Sequence, residues 1–119
     1  MNVEQIREYC LNKNHVTEDM PFDGNTLAFR VAGKMFLLTS LDAEYSSINL
    51  KCDPQRAVEL REVYEEITAG YHMNKKHWNT VDCEGSLPAS LITELIDHSY
   101  VLVVQGLPRK VRDSLQITD

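Results

Sequence analysis

Residues 26–39 read TLAFRVAGKMFLLT, and this stretch decides the fold class. Every second residue from Leu27 to Val31 is large and apolar, which is the period of a half-buried β-strand. A Gly-Lys pair then turns the chain into Met35–Thr39, which is apolar on both faces and therefore predicts a central strand. We predict a β-hairpin whose first strand covers Thr26–Ala32.

The segments on either side of the hairpin predict three further strands and four helices. Asp53 and Pro54 form a strong helix start, because Asp caps helix N-termini and Pro suits the first helical position. Segment 14–25 contains Pro21 and several turn residues, and it predicts a loop. The element order is α-β-β-β-α-β-β-α-α, which predicts an α+β fold with an antiparallel β-sheet. The further strands are Ser46–Cys52, Ile67–Gly70 and Trp78–Val81, and the helices are Asn2–Lys13, Asp53–Glu66, one from Pro88 to Gly106 and one that begins at Arg109.

Length and composition predict a single soluble domain over residues 1–119. The hydrophobic fraction of 43% and the charged fraction of 25% are typical of globular proteins. No apolar run approaches the roughly 20 residues of a membrane span, so no membrane partner is expected. The first residues lack the basic and then apolar segments of a secretory signal, and we expect a cytoplasmic protein. The formal net charge is −6, so binding to nucleic acid would have to use a local group of cations.

Sequence motifs for catalysis and metal binding are missing. GxSxG, HExxH, phosphate-loop and dinucleotide fingerprints do not occur, and we predict a protein without enzymatic activity or a cofactor. Cys10, Cys52 and Cys83 form no CxxC pair, which predicts buried thiols in a reducing compartment. His72 and His77 are five residues apart, a spacing that does not bring both to one helical face, so no metal site is predicted.

Residues 71–81 read YHMNKKHWNTV and concentrate the polar and aromatic chemistry of the chain. The stretch holds two histidines, two lysines, two asparagines and the only tryptophan, and it has no carboxylate. Lysines contact phosphates, asparagine amides pair with bases, and aromatic rings stack on them. The same residues also fit a structural role, in which Tyr71 and Trp78 face the core, the histidines bond to nearby backbone and the lysines hydrate a loop.

A second basic group lies near the C-terminus. If it folds beside the lysines of the 71–81 stretch, five cations form one patch on an acidic protein. The predicted nucleic-acid-binding residues are His72, Asn74, Lys75, Lys76, His77, Trp78, Arg109, Lys110 and Arg112.

The 70–81 stretch, GYHMNKKHWNTV, resembles the signature of the MmcQ/YjbR family of bacterial proteins. The likeness continues in order along nearly the whole chain, in residues 33–36, 48–54, 97–100 and 107–110. It implies a CyaY-like fold similar to bacterial frataxin, in which helices pack on one face of an antiparallel sheet. Family members are described as DNA-binding through a double wing of projecting hairpins, here the hairpin at Gly33-Lys34 and the segment from His72 to Trp78.

DNA is therefore the predicted partner, and two alternatives from other classes remain open. One is a protein-interaction module, which would expose an apolar or aromatic patch to an unknown partner. The other is a frataxin-like iron-binding protein, which the implied fold similarity to frataxin raises. The first helix and the loop after it carry carboxylates of the kind that bind hard cations weakly. A solvated helix face explains the same carboxylates, which are Glu4, Glu8, Glu18 and Asp19.

Overall fold

The computed structural model describes residues 1–22, 24–42, 46–70 and 73–116. These residues form four helices and six strands in the order α1-β1-β2-β3-β4-α2-β5-β6-α3-α4. The helices are α1 (Val3–Leu11), α2 (Pro54–Val63), α3 (Ala89–Gln105) and α4 (Arg109–Leu115). The strands are β1 (Val16–Asp19), β2 (Thr26–Val31), β3 (Lys34–Ser40), β4 (Ser47–Lys51), β5 (Ile67–Ala69) and β6 (Trp78–Asp82).

The strands form one open sheet in the order β1-β2-β3-β4-β6-β5, and every neighbouring pair is antiparallel. This confirms the α+β class and the antiparallel sheet. The predicted element order was wrong by one strand, because β1 occupies part of the 14–25 segment that was predicted as a loop. Its four residues, VTED, are too few and too polar to show an apolar period, and β1 is defined by its pairing with β2.

Local sequence sets the helix starts. Asn2 Oδ1 accepts a hydrogen bond from Gln5 N at 2.8 Å and Gln5 Oε1 accepts one from Asn2 N at 2.9 Å, which is a capping box. Asp53 caps α2 by accepting from Arg56 N at 3.1 Å. Helix α2 ends at Val63, three residues before the predicted end, because the backbone turns extended at the next residue.

The β2–β3 hairpin closes through a two-residue turn. Ala32 and Gly33 have φ angles of 50° and 79°, the left-handed pair that matches the twist of a hairpin. The register shifts beside Arg30, and Phe36, which stands at this shift, packs edge-on against Tyr100 of α3 with ring centroids 5.5 Å apart. The predicted hairpin is confirmed, and its turn lies at Ala32 and Gly33 rather than at Gly33 and Lys34.

One face of the sheet carries the core. The register places Leu27, Ile48, Val81 and Ile67 in one row, and the next row continues the same face with buried residues of β2, β3 and β4. The helices pack on this side. Helix α1 supplies Ile6 and Cys10, helix α2 supplies Ala57 and Leu60, and helix α3 supplies Ile92, Leu95, Ile96 and Val103. We call the opposite side of the sheet the open face.

The three cysteines are free and buried, as predicted. Desolvation raises the pKa of Cys10 and of Cys83 to about 12, and it also raises the pKa of Cys52. Within the described ranges, no helix is both long enough and apolar enough to cross a membrane.

Candidate nucleic-acid interface

Residues 74–77, which we call the lysine turn, connect β5 to β6. The carbonyl of Asn74 accepts from the backbone N–H of His77 at 3.1 Å and of Trp78 at 2.9 Å, while its side-chain Oδ1 accepts from Lys76 N at 3.0 Å. This local hydrogen bonding is typical of Asn in turns. It holds the two consecutive lysines, Lys75 and Lys76, at an exposed position of fixed backbone shape.

Helix α2 braces the lysine turn. Arg61 Nη1 donates to the carbonyl of Lys75 at 3.2 Å and to Oδ1 of Asn79 at 3.1 Å. The amide nitrogen of Asn79 in turn donates to the carbonyl of Ala57 at 3.3 Å. Asn79 is only 2% exposed, so its amide joins α2 to β6 and is not presented to a ligand.

The backbone before the lysine turn lies close to the backbone after it. Gly70 N donates to the carbonyl of Trp78 at 3.0 Å, and Met73 N donates to the carbonyl of Gly70 at 2.9 Å. A Cβ on Gly70 would lie 3.0 Å from Trp78 Cβ and 3.1 Å from its carbonyl oxygen. The sequence therefore needs glycine at this point for backbone approach.

Trp78 lies on the open face at the end of the sheet that carries the lysine turn. Its neighbour Asn79 faces the core side, and side chains alternate along a strand, so the indole points to the opposite side. Lys51 is the register partner of Trp78 and points the same way because Leu50 is buried in the core. Lys51 and Trp78 are thus neighbours on the open face, at the end where β6 leaves the lysine turn. The residue after Lys51, Cys52, donates its N–H to the carbonyl of His77 at 2.8 Å. The indole therefore does not face the core, contrary to the structural alternative.

Lys51 was not among the predicted site residues. Its outward position in the Ser46–Cys52 strand was visible in the apolar alternation. Its pairing with Trp78 was not visible, because β4 and β6 are separated by α2 and β5 along the chain.

The predicted site residues fall into three groups. Asn74, Lys75 and Lys76 are exposed in the lysine turn, with His77 and Trp78 half-buried beside them, whereas His72 and the neighbouring Tyr71 lie outside the described residues. The C-terminal cations belong to α4, where Arg109 is 3.9 Å from Asp113. Lys110 is exposed and Arg112 is half-buried. The union of both basic groups in one patch stays a prediction.

Two of the four carboxylates of the iron-binding alternative, Glu18 and Asp19, are paired with arginines. Glu18 accepts two hydrogen bonds from Arg7, at 2.7 and 2.6 Å, and this guanidinium lowers the pKa of the carboxyl group. Arg30 Nε lies 2.8 Å from Asp19. In the part of the chain that the structure describes, no group of three or more His, Cys, Asp or Glu side chains is placed to hold a metal ion.

Comparison with known proteins places the chain in a family. The family model YjbR matches residues 11–102. The chain therefore belongs to the YjbR family. This confirms the resemblance noted from the 70–81 stretch.

Two relatives of the YjbR family come from Escherichia coli. The chain is 40% identical to the uncharacterised protein YbdF of strain O157:H7 over 90% of this chain and 88% of YbdF. It is 30% identical to the uncharacterised protein YjbR of strain K12 over 97% of this chain and 98% of YjbR. The similarity in both cases extends along almost the whole of each protein.

Two solved structures share the fold. A crystal structure of a Deinococcus radiodurans protein superposes with a TM-score of 0.94 at 39% identity, covering 99% of this chain and 90% of that one. A Pseudomonas syringae protein gives a TM-score of 0.76 at 31% identity, over 86% of this chain and 98% of that one. The six-stranded architecture is therefore similar to that of these experimentally solved proteins.

Proposed function

We propose that this YjbR-family protein binds nucleic acid through the lysine turn and the adjoining corner of the open face. The observation that carries the proposal is the braced, exposed pair Lys75 and Lys76 beside Lys51 and Trp78. Lysines on a fixed turn suit phosphates, and an aromatic ring next to them suits a base. No carboxylate interrupts the sequence from residue 70 to residue 81.

The protein as a whole has a formal net charge of −6, so attraction to phosphates has to come from a local group of cations. Binding that uses few phosphate contacts is weak and falls with salt. We therefore expect measurable affinity at low ionic strength and a marked loss at physiological ionic strength.

A binding role also fits the state of the thiols. Each cysteine is buried and has a raised pKa, which disfavours the thiolate needed for nucleophilic catalysis. We propose that the protein is not an enzyme, and that it works in a reducing compartment such as the cytoplasm, where buried thiols persist unpaired.

The test reverses the charge of the lysine turn. We expect Lys75→Glu combined with Lys76→Glu to lower the affinity for fluorescein-labelled DNA at least tenfold at low salt, because two phosphate contacts become repulsions. The thermal midpoint should stay nearly unchanged, since both side chains are exposed. Fluorescence anisotropy measures the affinity.

A charge-matched control separates the two basic groups. Arg109→Glu with Lys110→Glu changes the net charge by the same amount in the exposed part of α4. Loss of binding in the first double variant alone places the site at the lysine turn, and loss in both supports the single patch. Binding that survives in the first variant would overturn the proposal.

A further inference from the structure

A groove of about 380 Å³ lies on the open face next to the lysine turn. Residues of strands β2, β3 and β4 form its floor. Three of its lining residues are apolar and four carry a hydroxyl or an amide; the fourth of these, Thr39, is buried. The other six are Phe22, Leu38, Met73, Thr26, Ser40 and Asn49.

Two connections from opposite ends of the sheet border the groove. Phe22 belongs to the β1–β2 connection, at the end where β2 begins. Met73 belongs to the β5–β6 connection, at the end where β6 begins, and it stands only two residues before Lys75. The segment from Met73 to Lys76 therefore borders the groove and also carries two lysines. A nucleic-acid strand whose phosphates contact these lysines would pass beside the groove.

The side chains of the groove suit both the flat face and the hydrogen-bonding edge of a nucleobase. Phe22 is 66% exposed and offers a ring on which a base can stack. Asn49 Oδ1 accepts the hydroxyl hydrogen of Thr80 at 2.6 Å, which turns the amide so that its NH2 group is the donor that it offers to a ligand. A donor amide near the hydroxyls of Thr26 and Ser40 can bind the ring-edge oxygens and nitrogens of a base.

A second depression on the same face limits where the phosphates can run. It has a volume of about 220 Å³ and is lined by Glu65, Glu66 and Asp82 with hydroxyl residues of β4, β5 and β6. Asp82 is at the end of β6 opposite Trp78, so this acidic depression lies away from the lysine turn. The acidic depression adjoins the groove, because Thr80 lines it and bonds to Asn49. Carboxylates repel phosphates, so a bound backbone is favoured at the lysine end.

We propose that the groove takes an unpaired base of single-stranded nucleic acid whose phosphates contact the lysine turn. This rests on the proposed function and names its substrate class. A base reaches a groove of this kind only when it is unstacked, which a duplex resists. Stacking on Phe22 and Trp78 also adds affinity without further cations, which suits a protein with a formal net charge of −6.

The experiment compares three labelled probes of equal length: oligothymidylate, an abasic strand with the same phosphates, and a DNA duplex. We expect the wild-type protein to bind oligothymidylate most tightly. Phe22→Ala should weaken binding to oligothymidylate about tenfold and leave binding to the abasic strand unchanged, because only stacking is removed. Val63→Ala is the matched control, since Val63 is 71% exposed on α2 and should alter neither affinity.

The outcomes separate this inference from the proposed function. Equal affinity for oligothymidylate and the abasic strand, with no effect of Phe22→Ala, would overturn the proposal that the groove binds a base. The proposal that the lysine turn binds phosphates would stand. Failure to bind any probe at low salt would overturn both. If light scattering shows a wild-type dimer that Phe22→Ala converts to a monomer without changing DNA affinity, a second copy covers the groove and the inference is wrong.

Discussion

Asn79 and Trp78 are neighbours in β6, but their side chains lie on opposite faces of the sheet. Both belong to the polar stretch that the sequence marks as a site, and both can bind a nucleobase by residue type. In β6 the side chains alternate, so Asn79 enters the core side and bonds to Arg61 and Ala57 while Trp78 faces outward. The amide of Asn79 holds the lysine turn in place, and the indole of Trp78 lies on the side where we propose that nucleic acid binds.

We expect Asn79→Ala to destabilise the protein by about 1–3 kcal/mol. The substitution removes a buried amide and leaves its two partners in α2, the Arg61 guanidinium and the Ala57 carbonyl, without these hydrogen bonds. Urea denaturation measures the free energy of unfolding. The control is Asn49→Ala, which removes one bond to Thr80 on the half-exposed open face and should cost less. Equal losses in the two variants would mean that the Asn79 bridge does not brace the turn.

Helix α3 fixes the start of α2 through a histidine. Nε2 of His98 accepts a hydrogen bond from Asp53 N at 3.2 Å, at the N-terminus of α2. Burial lowers the pKa of His98, and Arg56 lowers it further, while Asp53 and Glu94 act in the opposite direction. The neutral imidazole is therefore the form that joins the two helices.

This arrangement predicts a pH-dependent stability. The folded pKa of His98 lies below its unfolded value of about 6.5, so the unfolded chain binds more protons as the pH falls. The contribution of His98 is complete above about pH 6.5 and is lost as the pH falls through that value towards the folded pKa. The thermal midpoint, measured by circular dichroism between about pH 8 and pH 5, should fall less in His98→Gln than in the wild-type protein. Parallel curves for the two proteins would contradict this.

The strands differ in how far the sequence could predict them. The β2–β3 hairpin was predicted because its apolar alternation and its Gly33 turn are local signals. Strand β1 was missed because its existence depends on the partner β2, which offers a free edge to the short segment VTED. Pairing across the sheet is a tertiary property that no local period contains.

The same distinction governs the candidate site. The lysine turn was predicted from residue types that lie together in sequence. Lys51 lies beside it through the pairing of β4 with β6. Phe22, from a connection about 50 residues away in the sequence, borders the groove from the other end of the sheet. The β1–β2 connection is a polar loop with one aromatic residue, Phe22. Nothing in its local sequence indicates that Phe22 borders a groove, because the groove forms only when the sheet is assembled.

Charge is distributed unevenly over the whole molecule. The open face carries lysines at the Trp78 end and carboxylates at the Asp82 end. The formal net charge of −6 opposes nucleic acid at long range, and we propose that the lysine turn and Lys51 attract it at short range. Affinity should therefore depend on a few identifiable phosphate contacts, and their number can be counted.

The salt dependence of binding counts these contacts most directly. We would measure the affinity for oligothymidylate at a series of salt concentrations, for the wild-type protein and for Lys75→Gln combined with Lys76→Gln. Each phosphate contact contributes about 0.7 to the slope of log affinity against log salt for a single strand, so the double variant should be less steep by about 1.4. Unchanged slopes would show that the lysine turn does not contact phosphates, and the account of this site would be wrong.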